Sequence, residues 1–384
     1  MTSKGGQKKA AFLLGNVACA EGALAAGCRF FAAYPITPAS EIGEHIVGKI
    51  FQKGGSFIQT EDEIAAIASV IGASWGGLKA MTATSGPGIS LMAENIGLAV
   101  ATETPCVIVN VQRGGPSTGS PSLPLQADMI QARHCSHGDY EIIAYAPSSP
   151  QEMFDFTILA FNAAEKYRTP VFILSDALVG HMNEQVIFPG EEEIRLENRK
   201  IPASYEKGQK IFLDEDVAPM PVFGRGLRAN VTGSTHLENG DRSVASPKAM
   251  DSEIRRLNGK ITRHLDEITM DEAYFTEDAE VLFYAYGSIS RGVIEGVRLA
   301  REQGIKAGCH RPITVWPFSK KRIRELAGGC KKVVVCENNM GQMYYHVAEA
   351  LAGMAEVRFA SPAVFGMLMT PREILEIAKE EARR

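Results

Sequence analysis

The sequence is short of several things, and each absence narrows its chemistry. No apolar run reaches the ~18–20 residues that a membrane-spanning helix needs, so no span is expected. Positive charge is not in excess: the formal net charge is −5 and no long basic patch or tail occurs, which argues against nucleic acid as a partner. No two of the seven cysteines (Cys19, Cys28, Cys106, Cys135, Cys309, Cys330, Cys336) form a Cys-x-x-Cys pair, so no zinc or iron–sulfur motif is present. They sit mostly in apolar runs, where cysteine behaves as a small buried hydrophobe. An odd number without pairing fits a reducing compartment. There is no Walker pattern, no complete Gly-x-Gly-x-x-Gly and no repeat of fixed period. Residues 1–9 are polar, and residues 10–26 are broken by Gly15, Asn16, Glu21 and Gly22. This reads as a helix start capped by Asn16, not as a secretory signal. A cytoplasmic protein is expected.

What the sequence does have is alternation. With 384 residues, 45% of them apolar and 22% charged, a soluble chain of two or three domains is expected. Short continuous apolar runs at 28–33, 56–59, 78–82, 106–111, 141–145 and 171–175 read as strands buried on both faces. Helical patterns at 38–53, 61–75, 89–102 and 149–166 lie between them. The alternation implies a doubly wound parallel α/β domain over 1–185. Residues 186–260 lose the rhythm, with the charge run Glu191-Glu192-Glu193 and the turn pair Asn239-Gly240. They read as a long irregular connector draped over a surface, with helical pattern resuming at 251–266. A second α/β domain follows over 261–384. Its strands are expected at 281–286, 309–315, 332–336 and 357–360, and its helices at 288–303, 319–327, 342–354 and 371–384.

Four stretches of the first domain could carry chemistry. In Tyr34-Pro35-Ile36-Thr37-Pro38 two prolines stiffen a corner between a strand and a helix. Thr37 is either a helix cap or a ligand contact at a strand C-terminus, where open sheets bind. In Thr60-Glu61-Asp62-Glu63 the spacing of Thr60 and Glu63 suits a capping box, and the acids suit the helix dipole. Yet the small residues that follow (Ala65, Ala66, Ala68, Gly72, Ala73) imply a close neighbour, which a carboxylate at the helix mouth could address. Arg113 leads a loop of small polar residues (Gly114 to Ser122) after an apolar strand. It is either a solvated arginine or a clamp for a carboxylate. Thr84-Ser85-Gly86-Pro87-Gly88 is a weaker, anion-tolerant turn before a helix. Thr37, Glu63 and Arg113 stand at the C-terminal ends of different strands, so they can converge on one crevice.

Together these stretches resemble the α subunit of 2-oxoacid:ferredoxin oxidoreductases. The resemblance is carried by residues 34–42, 61–63, 84–88 and 113–119, and by His137-Gly138-Asp139. It continues in Tyr286-Gly287-Ser288, Trp316-Pro317-Phe318 and Glu337-Asn338-Asn339-Met340-Gly341-Gln342, and is least clear over 200–250. It implies a thiamine-diphosphate pyrimidine-binding-like domain, a transketolase C-terminal-like domain and oxidative decarboxylation of a 2-oxoacid. The products would be an acyl-coenzyme A, CO2 and reduced ferredoxin, by a reversible reaction. Glu63 would bond the aminopyrimidine ring of thiamine diphosphate and favour its imino tautomer, with Ile36, Ser85 and Gly86 beside the cofactor. Thr37 and Arg113, with Ser117 and Thr118, would hold the substrate.

The Gly-Asp-Gly run that usually binds the diphosphate through Mg2+ is absent; Gly138-Asp139-Tyr140 and Gly240-Asp241-Arg242 do not fit. The chain is therefore expected to be half of a site and inactive alone. A β subunit would supply the diphosphate and Mg2+ side, and iron–sulfur clusters would lie in partner subunits, with γ and δ subunits expected. The substrate reads best as 2-oxoglutarate; Arg133, His134, His137, Ser117 and Thr118, or residues of the β subunit, are candidates for its far carboxylate. A branched-chain 2-oxoacid enzyme is the alternative. Others are a non-catalytic assembly subunit and an indolepyruvate-type enzyme, although the latter usually carries cluster cysteines in a longer chain.

Overall fold

Strands that are apolar at every position need cover on both faces, and the chain provides it by sending alternate side chains into two different cores. Along Cys106–Gln112, Cys106 and Ile108 join one apolar cluster, whereas Val107, Val109 and Val111 join another. This is the two-residue period of a pleated strand. The computed structural model describes residues 9–204, 206, 208–213, 217–226 and 229–383. The expectations placed on residues 1–8 and on Arg384 lie outside them.

In chain order the strands of the first half are β1 (Ala10–Leu14), β2 (Phe30–Ala33), β3 (Ser56–Gln59), β4 (Ala80–Thr84), β5 (Cys106–Gln112), β6 (Ile143–Tyr145), β7 (Pro170–Asp176) and β8 (Asn183–Ile187). Those of the second half are β9 (Asp271–Tyr274), β10 (Val281–Tyr284), β11 (Ala307–Pro312), β12 (Thr314–Trp316), β13 (Lys332–Cys336) and β14 (Glu356–Ala360). One sheet runs β12-β6-β7-β5-β4-β2-β3 and a second runs β14-β13-β10-β11-β9. Pairing is parallel except for β12 on β6 and β9 on β11. This is the expected α/β class with two parallel sheets. One cluster contains both Phe172 of the first sheet and Leu282, Tyr284, Val333 and Val335 of the second. The layers therefore alternate, with that shared core between the sheets and a separate core on each outer side.

Four strands were not legible: β1, β8, β9 and β12. Residues 10–14 form β1, paired antiparallel with β8, and the following helix is Gly15–Ala25 with Leu14, not Asn16, at its cap position. Asn16 lies inside the helix and donates instead to Pro38 O (2.7 Å) and Glu41 (2.8 Å), tying that helix to the corner after β2. The strand expected at 309–315 is two strands, β11 and β12, and β12 leaves the second sheet to become the edge of the first. The strand β9 closes the other edge of the second sheet.

The connector has little regular structure before the helix Pro247–Thr262, but it is anchored by charge. Arg199, buried, donates through Nε to Glu165 (2.8 Å) and through Nη1 to Ser74 O (2.8 Å). Arg256 and Lys260 of the helix Pro247–Thr262 donate to the two oxygens of Glu103, at 2.8 and 3.0 Å.

The two halves are latched at residues 124–130. The Asn339 side chain donates to Gln126 O (2.7 Å), Tyr286 Oη (3.0 Å) and Glu337 (3.0 Å), and accepts from Gly341 N and Gln342 N. The Asn338 side chain donates to Pro124 O, and Trp316 Nε1 donates to Met129 O (2.8 Å). The Glu337-Asn338-Asn339 turn is thus a junction within the chain. Asn339→Ala is expected to cost about 1–3 kcal/mol, the penalty for orphaning buried polar partners. Urea unfolding of the purified chain measures it; an unchanged midpoint would remove the latch from the argument.

Candidate functional site

The order of the first sheet fixes where a ligand can enter. From β2 the chain passes to β3 on one side and then back across to β4 on the other. Loops leaving β2 and β4 therefore diverge, and the gap outside their C-terminal ends is the switch-point crevice of an open sheet. The corner after β2 holds Thr37, the turn after β3 holds Glu63, the turn after β4 holds Ser85 to Gly88, and Arg113 follows β5.

Glu63 is free for a ligand because another residue does the capping. The helix Glu63–Trp75 is capped by Asp62, whose carboxylate accepts from Ala65 N at 2.7 Å. Thr60 Oγ1 donates to Asp62 O (2.8 Å), so the Thr60–Glu63 capping box does not form. A carboxylate two positions after an extended residue reaches the first free amides as well as a threonine does, and here it displaces it. Glu63 turns inward instead and is 4% exposed. Its carboxyl lies 3.4 Å from Thr84 Oγ1. Burial raises its pKa; the bonds from its own backbone amide and from Thr84 oppose this, the Asp62 charge adds to it and the Arg113 charge opposes it. A methyl group at Gly88 would stand 1.9 Å from Thr84 Oγ1 and 2.6 Å from Glu63 Oε1, so only glycine allows this approach.

Thr37 does not cap a helix. Ala39 N bonds Ile36 O (2.8 Å), closing a turn over Thr37 and Pro38, and the helix is Ser40–Ile50 with Ala39 at its cap position. The Thr37 side chain is exposed and its carbonyl accepts from Arg113 Nη1 at 2.5 Å. Arg113 is neither solvated nor ion-paired: it is buried, and Nη2 donates to Thr118 O at 2.7 Å while Nε has no partner. Arg113 therefore joins the Thr37 corner to the loop that carries Ser117 and Thr118. Both of those residues are exposed. Ile36 is half-buried and lines an apolar cavity of 280 Å³ floored by the stacked rings of Phe31 and Phe57.

Three further groups face this crevice: Asp128 and Asn110, which no motif singled out, and Thr84, the first residue of the turn at 84–88. Asp128 holds the cap position of the helix Met129–Arg133 yet does not cap it. Its carboxylate accepts from Asn110 Nδ2 (3.0 Å) and lies against Gly86, where a methyl group would be 2.9 Å away. Burial raises its pKa, opposed by Asn110 and the Arg113 charge. Asn110 was visible as the one polar residue in the apolar run 106–111 and Thr84 as the first residue of the turn 84–88; Asp128 carried no signal. Ser85 Oγ and Asn110 Oδ1 are buried without partners, and unsatisfied polar atoms at a crevice are the places a ligand would fill.

The other candidates lie apart. Arg133 is paired with Glu141 at 2.7 Å, His134 is exposed, and the His137 side chain is 90% exposed beside Glu94. Among the described residues no group of three or more His, Cys, Asp or Glu is arranged to hold a metal ion, and no helix is long and apolar enough to cross a membrane.

A buried glutamate approached through a glycine-only contact, with an arginine at a neighbouring strand end, is an arrangement that can hold a cofactor, and the chain as a whole is similar to known proteins. Residues 21–256 match the family described as pyruvate flavodoxin/ferredoxin oxidoreductase, thiamine diphosphate-binding, and residues 279–374 match pyruvate:ferredoxin oxidoreductase core domain II. The chain belongs to this 2-oxoacid:ferredoxin oxidoreductase family, in which it is one subunit of a complex. It is 52% identical to the 2-oxoglutarate synthase subunit KorA of Methanocaldococcus jannaschii, over 95% of this chain and 98% of that one. A ketoisovalerate oxidoreductase subunit VorB of Methanothermobacter thermautotrophicus is more distant, at 38% identity over 96% of this chain and 97% of its own. The structure of 2-oxoglutarate:ferredoxin oxidoreductase from Magnetococcus marinus, with 2-oxoglutarate, coenzyme A and succinyl-CoA bound, superposes with a TM-score of 0.91 at 34% identity. The superposition covers 98% of this chain and 66% of that one.

Proposed function

We propose that this chain is the α subunit of a thiamine-diphosphate-dependent 2-oxoglutarate:ferredoxin oxidoreductase and forms the aminopyrimidine wall of a site shared with a β subunit. The reaction is 2-oxoglutarate, coenzyme A and oxidised ferredoxin to succinyl-CoA, CO2 and reduced ferredoxin, with two electrons passed on. The observation that carries the reading is Glu63: a buried carboxyl with a raised pKa, relieved of capping by Asp62 and placed at the crevice. Thiamine diphosphate, when bound, supplies the nucleophilic carbon and electron sink that 2-oxoacid decarboxylation needs.

The residues present fit that cofactor's aminopyrimidine. Glu63 would share a proton between its carboxyl and a ring nitrogen of the bound cofactor, and burial makes that carboxyl basic enough to do so. Ser85 Oγ, without a partner, and the Gly86–Gly88 backbone accept the ring's edge, and Ile36 packs beside it. Arg113 Nε, buried and unpaired, and the Thr37 hydroxyl receive the carboxylate next to the reacting carbonyl. Ser117 and Thr118, on the loop that Arg113 holds, stand toward the substrate's far end. Mg2+ with the diphosphate is assigned to the β subunit and the iron–sulfur clusters to partner subunits, γ and δ among them.

Purification of the native complex tests this. Viologen reduction is expected with 2-oxoglutarate and coenzyme A, at a kcat/KM at least ten-fold above that for 2-oxoisovalerate. A ten-fold preference is only about 1.4 kcal/mol of discrimination, well within what one unpaired carboxylate costs. Turnover by this chain alone, or a preference for 2-oxoisovalerate, would overturn the assignment.

A further inference from the structure

A large groove of the first half lies at the end of the sheet opposite the crevice. Gly27 and Arg29, which lead into β2, form one side of it, and the 3-10 turn Phe51–Lys53 and the strand β1 border it. Its volume is 680 Å³ and its floor is apolar, built by Leu24, Phe154, Phe188 and Leu196. Its walls are cationic. His45, Lys49 and Lys53 recur at every fourth position of the helix Ser40–Ile50 and the turn after it. That spacing sets them about 6 Å apart in a row about 12 Å long. Lys9 and Arg29 also line the groove.

One carboxylate, Glu21, is among the lining residues, and it is already engaged by His45 (2.6 Å) and Lys49. Arg29 makes one side-chain bond, from Nη1 to Cys28 O (2.8 Å). Lys9 and Lys53 have no acidic partner among the described residues. Set against a net charge of −5 for the chain, this is a local inversion of sign over an open apolar floor.

We infer that the groove is the docking site for an acidic segment of another subunit of the complex, with an apolar side chain seated on the floor and carboxylates against Lys53, Arg29 and Lys9. Charge complementarity selects an acidic occupant. A row of cations along the floor suits successive carboxylates on a chain better than a single small anion, which would reach one or two of them. Because the groove and the crevice lie at opposite ends of the strands, a subunit docked here leaves the crevice free for the one that completes it. The inference rests on the chain being a subunit and is independent of which 2-oxoacid is used.

Zero-length carbodiimide coupling of the purified native complex, followed by peptide mapping, tests it. Amide links are expected from Lys9, Lys49 or Lys53 to aspartates or glutamates of a different subunit. The Arg29→Glu/Lys53→Glu variant is expected to release that same subunit at several-fold lower salt, since surface ion pairs are screened. Arg29→Lys/Lys53→Arg should release it at the wild-type salt concentration. The variant chain's unfolding midpoint separates docking from folding. Three results would overturn the inference: lysines that couple to nothing and stay open to acetylation in the complex; links only to a second copy of this chain; or binding of dodecyl phosphate that the charge-reversed variant abolishes with subunit composition unchanged, which would make the groove a site for a small anionic amphiphile.

Discussion

Glu63→Gln in the assembled complex is expected to lower turnover by about 100- to 10,000-fold, the usual contribution of a positioned proton-transfer group, without destabilising the chain. The two effects separate because Asp62, not Glu63, caps the helix. The sign of the stability effect follows from the pKa direction. Burial, the largest influence, raises the Glu63 carboxyl above its ordinary value. A carboxyl with a raised folded pKa leaves the protein most stable below the unfolded pKa of about 4.3 and weakens it as pH rises toward the folded value. Gln carries no such charge. The variant's melting temperature should therefore match the wild type near pH 4 and exceed it at pH 8. Scanning calorimetry at the two pH values, with viologen reduction alongside, checks both. Undiminished turnover would leave an assembly role for this chain, and a lower melting temperature at pH 8 would show that the carboxylate is structurally engaged.

The largest loss of stability is expected at Glu103. Its carboxylate accepts from Arg256 Nε and Lys260 Nζ, and its carbonyl accepts from Arg168 Nε (3.3 Å). All four residues are buried. Phe212 of the connector packs against the Arg168 and Arg256 guanidinium groups and the His236 ring. Glu103→Gln keeps the shape, and leaves the left-handed backbone at this position (φ 48°) as it was, but removes the carboxylate charge that Lys260, Arg168 and Arg256 all face. Breaking one side of such a buried set costs about 3–5 kcal/mol. Burial raises the pKa of Glu103, and Lys260, Arg168 and Arg256 more than reverse it, so its pKa lies below the ordinary value. Its contribution is then present above the unfolded carboxylate pKa and fades as pH falls through the folded one. The wild type should lose its advantage over the variant on acidification below about pH 4.3. Denaturant midpoints at pH 7 and pH 3.5 measure this; equal midpoints at pH 7 would refute it.

The inner strands of the first sheet were legible because they are buried on both faces and so are largely apolar. The crevice was legible because its residues fall just after those strands. What could not be read was side-chain commitment. Thr37, Asp62 and Asn16 are all competent caps, and only Asp62 caps; the choice depends on where the chain turns beforehand. Asp128 stands in no motif and reaches Gly86 only because residues 114–127 fold back across the strand ends. The connector loses the strand–helix rhythm, yet Ile211, Phe212, Met220 and Val222 are buried. Their partners are distant arginines and tryptophan, such as Trp75 beside Arg168, and distant pairing leaves no trace in local periodicity.

The strand β12 bears on how this gene could be divided. Residues 314–316 complete the first sheet from beyond the connector, so the chain is interleaved and not strung in series. Cutting it near residue 260 would bare β6 as an unprotected edge, open to pairing with other chains, and would leave the latter piece with an orphaned strand. A subunit boundary drawn through this fold during evolution would have to fall elsewhere, and expression of residues 1–260 alone would give a self-associating fragment.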